Sequence, residues 1–238
     1  MSERNRVAIM QPYFLPYLGY WQLMGFVDRF VVYDDIQFTK KGWIHRNRYL
    51  NNGSDQMFTL PLKKDSDYLD VVDRRLTDSW DVEKIKLRRR IEGAYDKSPH
   101  FHEAMPIFNE CIEYEGSNLF DFIFGSIKII RESLDVGTQL LVSSELGETK
   151  HLKGQERVLE ICRSLGATEY VNPIGGYELY DRNVFAQEGV ELRFHKIGDV
   201  AYNQMQRDFL PNLSVLDILM FSGVDGVKKE MGNFEILE

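Results

Sequence analysis

The first 35 residues contain two runs of consecutive apolar side chains, at 7–10 and within 29–35, separated by an apolar stretch of helical length at 17–26. Strands that are continuously apolar, rather than alternately apolar and polar, are typical of a sheet covered on both faces. The pattern therefore predicts a right-handed strand–helix–strand unit with two parallel strands.

The segment that follows has a different character. Residues 36–64 are rich in aromatic, basic and turn-forming side chains, and Asn51, Asn52 and Gly53 predict a hairpin turn. Between about 80 and 134 come three stretches with helical periodicity, each preceded by polar residues or proline. We expect these stretches to form a helical insert.

Alternation of strands and helices returns after the insert. Segments 139–144, 168–172 and 190–196 predict strands, and the stretches between and after them predict helices. This order predicts an α/β fold with a mostly parallel, Rossmann-like sheet and a central helical insert at about 80–134. No repeat, low-complexity tract or linker divides the sequence, so residues 1–238 are expected to form a single domain.

Composition narrows the classes of partner. The 37 acidic residues outnumber the 29 Lys and Arg, which gives a net charge of −8 and argues against nucleic acid or anionic membrane as a partner. The absence of a signal peptide and of a long apolar run predicts a cytoplasmic protein without membrane insertion. Two cysteines are too few for a disulfide framework, and no Cys/His spacing predicts a metal site.

Candidate chemistry begins where the first strand ends, because ligands of parallel sheets bind beyond the carboxyl ends of strands. Gln11 follows the strand directly, and Tyr13 and Tyr17 flank the turn into the helix, which Pro12 and Pro16 stiffen. A rigid aromatic wall with hydroxyl tips suits a sugar or a base. The alternative is an aromatic plug that only covers the sheet edge.

Two carboxylates, Asp34 and Asp35, end the second strand. At this edge a carboxylate can bind hydrated magnesium, a sugar hydroxyl or a nearby basic side chain. The alternative is a structural aspartate that caps a turn.

A basic segment comes next. Its charged members are Lys40, Lys41, His45, Arg46 and Arg48, with Asn47 among them. Such a concentration can bind phosphate or carboxylate, and a histidine can act as acid or base near neutral pH. We favour function over a solvated loop because Trp43 and Ile44 are interleaved with the charges.

A weaker signal lies at 172–181, where Asn172, Gly175 and Gly176 fall between a predicted strand and a predicted helix. Backbone amides there could hold an anion. The segment has neither a P-loop lysine nor the spacing of a dinucleotide fingerprint.

Four ordered stretches resemble the WbqC-like protein family: "MQPYFLPYLGYWQLM", "VVYDDIQFTKKGWIHRNRY", "GATEYVNPIGGYELYD" and "FLPNLSVLDILMFSG". The resemblance spans about residues 7–223. Members of this family are encoded largely in bacterial clusters for O-antigen and other surface polysaccharides, which implies a role around activated sugars. The motif residues it implies are Gln11, Tyr13, Tyr17, Asp34, Asp35, His45, Arg46, Asn47, Asn172, Gly175 and Gly176.

The first strand, loop and helix are also similar to those of nucleotidylyltransferases, so the sheet is expected to be Rossmann-like or nucleotidylyltransferase-like. Those enzymes carry an H-x-G-H motif at this turn. The corresponding stretch here, "PYLGYW", has neither histidine, which argues against nucleotidyl transfer.

We therefore expect a group-transfer enzyme that moves an acyl or aminoacyl group to an amine or hydroxyl of a nucleotide-linked sugar, in O-antigen or other surface-polysaccharide biosynthesis. His45 is the predicted base, oriented by Asp34 or Asp35. The predicted substrate-binding residues are Lys40, Lys41 and Arg46 for a phosphate or acyl carboxylate, and Gln11 with Asn47 for sugar hydroxyls.

Two alternatives stay open at this point. One is a non-catalytic module that binds a sugar or a carrier protein, and the other is magnesium-dependent nucleotidyl transfer through Asp34 and Asp35. The expected partner is a nucleotide-linked sugar, together with an acyl donor or carrier protein. The sequence assigns no cofactor.

Overall fold

The continuously apolar runs form the central strands of one sheet in a computed structural model, which describes residues 4–206 and 208–238. The strands in these residues are β1 (Arg6–Met10), β2 (Arg29–Val32), β3 (Arg46–Asn51), β4 (Ser54–Thr59), β5 (Gln139–Val142), β6 (Glu169–Pro173), β7 (Glu191–Ile197) and β8 (Phe234–Leu237). The α-helices in the same residues are α1 (Leu18–Phe26), α2 (Trp80–Tyr95), α3 (Phe101–Ile112), α4 (Leu119–Ser133), α5 (Gly154–Ser164), α6 (Arg182–Gln187) and α7 (Val215–Glu230).

Six of the strands form a single sheet in the order β5-β2-β1-β6-β7-β8. All neighbours are parallel except β7 and β8, which are antiparallel. The prediction of an α/β fold with a mostly parallel sheet is confirmed, and the strand order is consistent with a Rossmann-like arrangement. The antiparallel β8 was not predicted, because its four residues, FEIL, form too short an apolar run to stand out.

Helices cover both faces of the sheet, as continuously apolar strands require. Alternate residues of β1 point to opposite faces: Ala8 packs into the core shared with α1, α7 and the helices of the insert. Val7 and Ile9 pack on the other face, with apolar residues of α5 and α6. The sheet thus separates two apolar cores.

The segment between β2 and β5 contains a hairpin and three helices. Strands β3 and β4 pair in antiparallel fashion around the predicted turn, where Asn52 and Gly53 both have positive φ, 49° and 78°. Two consecutive positive φ values are typical of a type I′ turn. Helices α2, α3 and α4 follow within the predicted insert range, and α3 packs against α4 and α7.

No helix in the described residues combines the length and the apolar character that crossing a bilayer requires.

A buried carboxylate joins the hairpin, the insert and α7. Asp217 of α7 is fully buried and accepts hydrogen bonds from the Tyr95 hydroxyl at 2.7 Å, the Tyr202 hydroxyl at 2.6 Å and Gln204 Nε2 at 2.8 Å. The Tyr95 hydroxyl in turn accepts the Leu50 amide of β3 at 2.9 Å. Burial raises the pKa of Asp217, and its three neutral donors satisfy the carboxylate with no ion pair to any cation of residues 4–206 and 208–238.

Replacing Tyr95 by Phe should lower the free energy of unfolding by about 1–3 kcal/mol, because a buried carboxylate loses a donor and a buried amide loses its acceptor. The matched control is Tyr49→Phe, whose hydroxyl bonds Gln56 Oε1 at 3.2 Å in a partly buried position. That change should cost less than about 1 kcal/mol. Equal losses for the two variants in urea denaturation would contradict the role assigned to Asp217.

Candidate functional site

The order of strands reverses at β1, with β2 and β5 on one side of it and β6, β7 and β8 on the other. Ligands of open α/β sheets bind in the crevice beyond the carboxyl ends of the strands at such a reversal. A cavity of about 580 Å³, the switch-point crevice, lies at this position. Its aromatic lining consists of Tyr13, Tyr17, Tyr20, Tyr33, Trp43 and Tyr180.

The crevice opens because β1 and β6 separate. These strands pair only at Arg6 with Glu169 and at Val7 with Tyr170, whereas β1 stays paired with β2 as far as Met10. The carboxyl ends of β1 and β6 are therefore free to diverge, and the residues that follow them line the cavity between. Gln11 is one of these residues, and its exposed side chain lies at the rim.

The loop after β1 is held by hydrogen bonds to its backbone. Asn47 Nδ2 donates to the carbonyls of Phe14 and Leu15, and Ser214 Oγ donates to the Leu15 carbonyl at 2.9 Å. The Phe14 amide bonds the Ile44 carbonyl at 3.0 Å. These contacts fix Leu15 at a φ of 49°, in the left-handed region that a leucine rarely adopts.

Asn47 therefore stabilises the loop after β1 through hydrogen bonds to its backbone, which corrects the expectation that Asn47 binds a sugar hydroxyl. The residue is 1% exposed, and its Oδ1 accepts the Arg48 amide at 2.8 Å while its Nδ2 is bonded to the loop. A buried amide with both ends satisfied has no group left to offer a ligand.

Three aromatic side chains form one wall of the crevice. The Tyr13 ring centroid lies 6.5 Å from that of Tyr17 and 6.3 Å from that of Trp43. Burial raises the pKa of Tyr13 and of Tyr17, so both phenols are protonated at neutral pH and can donate hydrogen bonds. Gly19 makes room for this wall, since a Cβ there would lie 2.5 Å from the Tyr17 ring.

The segment after β6 lines the same crevice. Asn172 is buried, accepts the Tyr170 hydroxyl at 3.1 Å and donates to the Pro173 carbonyl at 3.0 Å. A Cβ at Gly176 would lie 2.1 Å from Asn172 Nδ2, whereas one at Gly175 would meet no atom within 4 Å. The structure thus brings Gln11, Tyr13, Tyr17 and this segment together in one cavity.

Asp34 does not enter the crevice. It is 4% exposed, and its carboxylate accepts the Ser144 amide at 3.0 Å and Ser144 Oγ at 2.7 Å. The one hydrogen of the Ser143 hydroxyl is shared between Asp34 Oδ1 at 2.9 Å and Asp35 Oδ1 at 2.5 Å. These bonds anchor the turn after β5, so the turn-capping interpretation describes Asp34, and the expectation that it orients a base is corrected.

Asp35 faces a pocket next to the crevice. Its Oδ2 lies 2.6 Å from Arg157 Nη2, and Ser143 Oγ donates to its Oδ1 at 2.5 Å. Burial acts to raise the pKa of Asp35, but the hydrogen bonds from Ser143 and Arg157 outweigh it and hold the pKa below the usual range. Asp35 is therefore ionised at neutral pH, with part of its hydrogen-bonding capacity already used.

This second pocket, the α5 pocket, has a volume of about 450 Å³ and shares Tyr33, Ile36, Gln37 and Tyr180 with the crevice. It is bordered by Lys150, Lys153, Gly154 and Arg157 at the start of α5. No side chain caps the first turn of α5, so its backbone N–H groups are available to an anion.

Sequence reasoning missed Lys150, Lys153 and Arg157. The available signal was "KHLKGQER", where basic residues and a glycine stand at the start of a predicted helix that follows a parallel strand. The start of such a helix lies at the carboxyl edge of the sheet, where the crevice was already expected.

His45 lies in a different cavity. Gly42, Trp43 and Ile44 line the crevice, but the next residue, at the entry to β3, points elsewhere. The His45 ring is 8% exposed and packs edge-on against Phe38 at 5.0 Å. His45 therefore lines a cavity that none of Gln11, Asp34 and Asp35 lines, so the expected base does not lie beside the carboxylates expected to orient it. The chain turns at residues 44–45, and the His45 side chain is directed away from the crevice.

The environment of His45 also makes it a weak base. Burial, with the nearby cations Arg46 and Arg74, lowers the pKa of His45 to about 4. The imidazole is neutral at pH 7, and proton uptake near that pH, which the sequence led us to expect, is disfavoured.

The other basic residues of this segment lie outside the crevice as well. Arg46 donates to the carbonyls of Gly42 and Lys41, and its guanidinium lies 5.4 Å from the Trp43 ring centroid. It therefore stabilises the loop that presents Trp43. Lys40 pairs with Asp67 at 2.5 Å on the surface, and Lys41 is exposed, so the expected phosphate contacts of these three residues are not made within the crevice.

Across 4–206 and 208–238, no group of three or more His, Cys, Asp or Glu side chains is arranged to hold a metal ion.

Comparison with known proteins identifies the family. A sequence profile of the WbqC-like protein family matches residues 11–229, which confirms the resemblance. The uncharacterized protein Rv1507c of Mycobacterium tuberculosis is 31% identical over 228 residues, which cover 93% of this chain and 95% of that protein. No solved structure matches the chain significantly.

The lowered pKa of His45 predicts a pH dependence of stability. Between about pH 6.5 and 4 the unfolded chain binds a proton at His45 that the folded chain does not, so this contribution to stability is lost as the pH falls. Relative to His45→Gln, the free energy of unfolding of the unmodified protein should fall by up to roughly 3 kcal/mol over this range. His102→Gln, at an exposed position, is the control and should leave the slope unchanged.

The glycine pair after β6 gives a second, internally controlled prediction. Gly176→Ala should lower the free energy of unfolding by about 1–3 kcal/mol, because the new Cβ must displace the buried Asn172 amide. Gly175→Ala should stay within about 0.5 kcal/mol, since its Cβ meets open space. Urea denaturation measures the free energy of unfolding of both variants. Equal values for Gly176→Ala and Gly175→Ala would show that the Asn172 side chain can move to make room for the new Cβ.

Proposed function

We propose that this chain, which belongs to the WbqC-like protein family, binds a nucleotide-linked sugar in the switch-point crevice and transfers an acyl or aminoacyl group to an amine or hydroxyl of that sugar. The observation that carries the proposal is an aromatic cavity that continues into a pocket at the uncapped start of a helix. A nucleotide-linked sugar has the matching parts, namely rings and hydroxyls next to a diphosphate.

The aromatic part of the crevice suits the rings of such a ligand. Tyr13, Tyr17 and Trp43 offer ring faces for stacking on a base or a sugar, and the two phenols donate hydrogen bonds to hydroxyl oxygens. Gln11 at the rim adds an amide that can both donate and accept. Sugar and base recognition commonly combines these two kinds of group.

The α5 pocket suits the diphosphate. The backbone N–H groups of the first turn of α5 attract negative charge through the helix dipole. Lys150 is paired with Asp70 and Arg157 with Asp35, whereas Lys153 forms no ion pair with a carboxylate of the described residues. Lys153 is thus the cation most readily recruited by a phosphate.

For the transfer step, the attacking amine or hydroxyl of the sugar forms a bond to the acyl carbonyl carbon, and the bond between that carbon and the donor's leaving group breaks. The proton lost by the attacking group passes to the departing group. Asp35 is ionised and lines the α5 pocket next to the crevice, where its carboxylate can accept a hydrogen bond that orients the attacking group. The acyl donor, free or on a carrier protein, would enter from the open side. We place this reaction in the cytoplasm, in O-antigen or other surface-polysaccharide biosynthesis.

A second candidate is a non-catalytic module that binds a sugar or a carrier protein. The observation in its favour is that Asp35 is already engaged by Arg157 and Ser143, while His45 lies outside the crevice. A nucleotidylyltransferase-like role is less favoured. It would require Asp34 to exchange its three bonds with Ser143 and Ser144 for magnesium.

Binding is tested first, by calorimetric titration with uridine and guanosine diphosphate sugars. Trp43→Ala should weaken binding by about five- to fiftyfold through loss of stacking, and Lys153→Gln by about three- to tenfold through loss of a phosphate contact. Tyr68→Ala is the control, because Tyr68 is an exposed aromatic residue outside the crevice. Unchanged affinity in both crevice variants would contradict the proposed ligand position.

Transfer is tested separately. The protein is incubated with a nucleotide-linked amino sugar and acyl-CoA or aminoacyl donors, and a gain of the acyl mass on the sugar is measured by mass spectrometry. Asp35→Asn should lower turnover by roughly two to three powers of ten while affinity for the sugar changes much less. Tight binding without any acylated product would instead identify a binding module.

A further inference from the structure

The cavity that contains His45 is built from basic side chains. It has a volume of about 320 Å³, and its lining includes Lys40, His45, Lys63, Lys64 and Arg74. We propose that this basic cavity is a second ligand site, which binds a phosphate group independently of the switch-point crevice. The proposal does not rest on the function proposed for the crevice.

The first argument is a buried guanidinium without a carboxylate partner. Arg74 is 4% exposed, and it donates to the carbonyls of Ser66 at 3.0 Å and Lys63 at 3.4 Å. Its Nε has no partner, and its guanidinium lies 4.8 Å from the Phe38 ring centroid. Among the described residues no carboxylate comes within 4.0 Å of it. A buried charge without a counter-ion is costly, and a bound anion would supply the missing negative charge.

The second argument is an unsatisfied histidine beside it. His45 is more than nine-tenths buried, and its Nδ1 has no hydrogen-bond partner among the described residues. Neutral imidazole carries one N–H, which can donate to an anionic oxygen. Two buried polar side chains of the same cavity thus each have an unused hydrogen-bonding atom.

The lysines add charge that a ligand can recruit. Lys64 is exposed at the cavity, and Lys63 forms only a surface ion pair, with Asp78 at 2.5 Å, whose side chain is 89% exposed. Surface pairs of this kind contribute little and are readily exchanged. The one acidic residue of the lining, Asp65, accepts the Ser66 amide with its Oδ1.

The balance of charge favours phosphate over carboxylate. Four cationic side chains, a neutral His45 and one acidic side chain line a cavity in a chain whose net charge is −8. A phosphate group carries up to two negative charges and three or more acceptor oxygens, which matches several convergent donors better than a single carboxylate does.

Among the described residues, the basic cavity and the crevice share no lining residue. The segment from Phe38 to His45 lies between them and contributes different residues to each. Trp43 and Ile44 line the crevice, whereas Phe38, Lys40 and His45 line the basic cavity. A ligand in one cavity therefore contacts a different set of side chains from a ligand in the other. This separation lets variants distinguish the two sites.

The test is calorimetric titration of the full chain with inorganic phosphate, pyrophosphate and a nucleoside diphosphate at constant ionic strength. Lys64→Gln should weaken binding of inorganic phosphate or pyrophosphate by about three- to tenfold, and Arg74→Gln by at least about tenfold. Lys97→Gln, at an exposed position outside the cavity, is the matched control that should leave this binding unchanged. Arg74→Gln could unfold the protein, which circular dichroism would show. In that case the result for Lys64→Gln alone tests the proposal.

Two results would overturn the proposal. One is that Lys64→Gln binds phosphate and pyrophosphate with the same affinity as the unmodified protein, or that neither protein binds them at all. The other is acetate binding as tightly as phosphate, which would show a site for carboxylates.

Tighter binding of the nucleoside diphosphate than of pyrophosphate, with the same sensitivity to Lys64→Gln, would support the site and identify a nucleotide as the source of the phosphate. Loss of sugar-nucleotide binding in Trp43→Ala with phosphate binding retained would keep the two proposals distinct.

Discussion

The brief pairing of β1 with β6 is the constraint on which the candidate site depends. Only two residues of β1 pair with β6, whereas four residues of β1 pair with β2. The carboxyl ends of β1 and β6 therefore separate at the point where the strand order reverses. The loops that follow these strands must then line a gap instead of closing over a continuous sheet edge. The rigid aromatic loop after β1 is the wall of that gap, which explains why so many large side chains are placed in a connection.

Much of the polar sequence near this site is used to build it. Asn47 holds the backbone of the loop, Asp34 anchors the turn after β5, and Arg46 stabilises the loop that carries Trp43. Buried donors and acceptors are costly when unpaired, so a crevice with ordered walls requires such partners behind it. Residue type alone does not separate these supporting groups from groups that face a ligand. Their hydrogen-bond partners do, and most of those partners are distant in sequence.

The segment from Phe38 to His45 links two cavities of different chemistry. One side presents an indole to an aromatic crevice, and the other side contributes a histidine and a lysine to a basic cavity. Of the basic residues that stood out in an acidic sequence, Lys40 and His45 line the basic cavity, together with Lys63, Lys64 and Arg74 from later in the chain and not with Gln11. Arg74 in particular carries no local signal, because an arginine after a turn, here followed by Arg75, is ordinarily a surface residue.

The sequence by itself determined the class of the fold, the parallel strands, the hairpin turn and the position of the helical insert. Each of these follows from local periodicity or from the conformational preferences of a few adjacent residues, such as Asn52 and Gly53. It also placed Gln11, Tyr13, Tyr17, Asn172, Gly175 and Gly176 at or after the ends of strands of the predicted parallel sheet, whose carboxyl ends lie on one edge. Only the tertiary structure decided that His45 lines a cavity with Arg74 and not the crevice, because the chain turns at residues 44–45 and Arg74 comes there from a later part of the sequence. It also decided the pKa of His45 and the ionic partner of Asp35, because burial and charge at a site depend on residues brought together from distant parts of the chain.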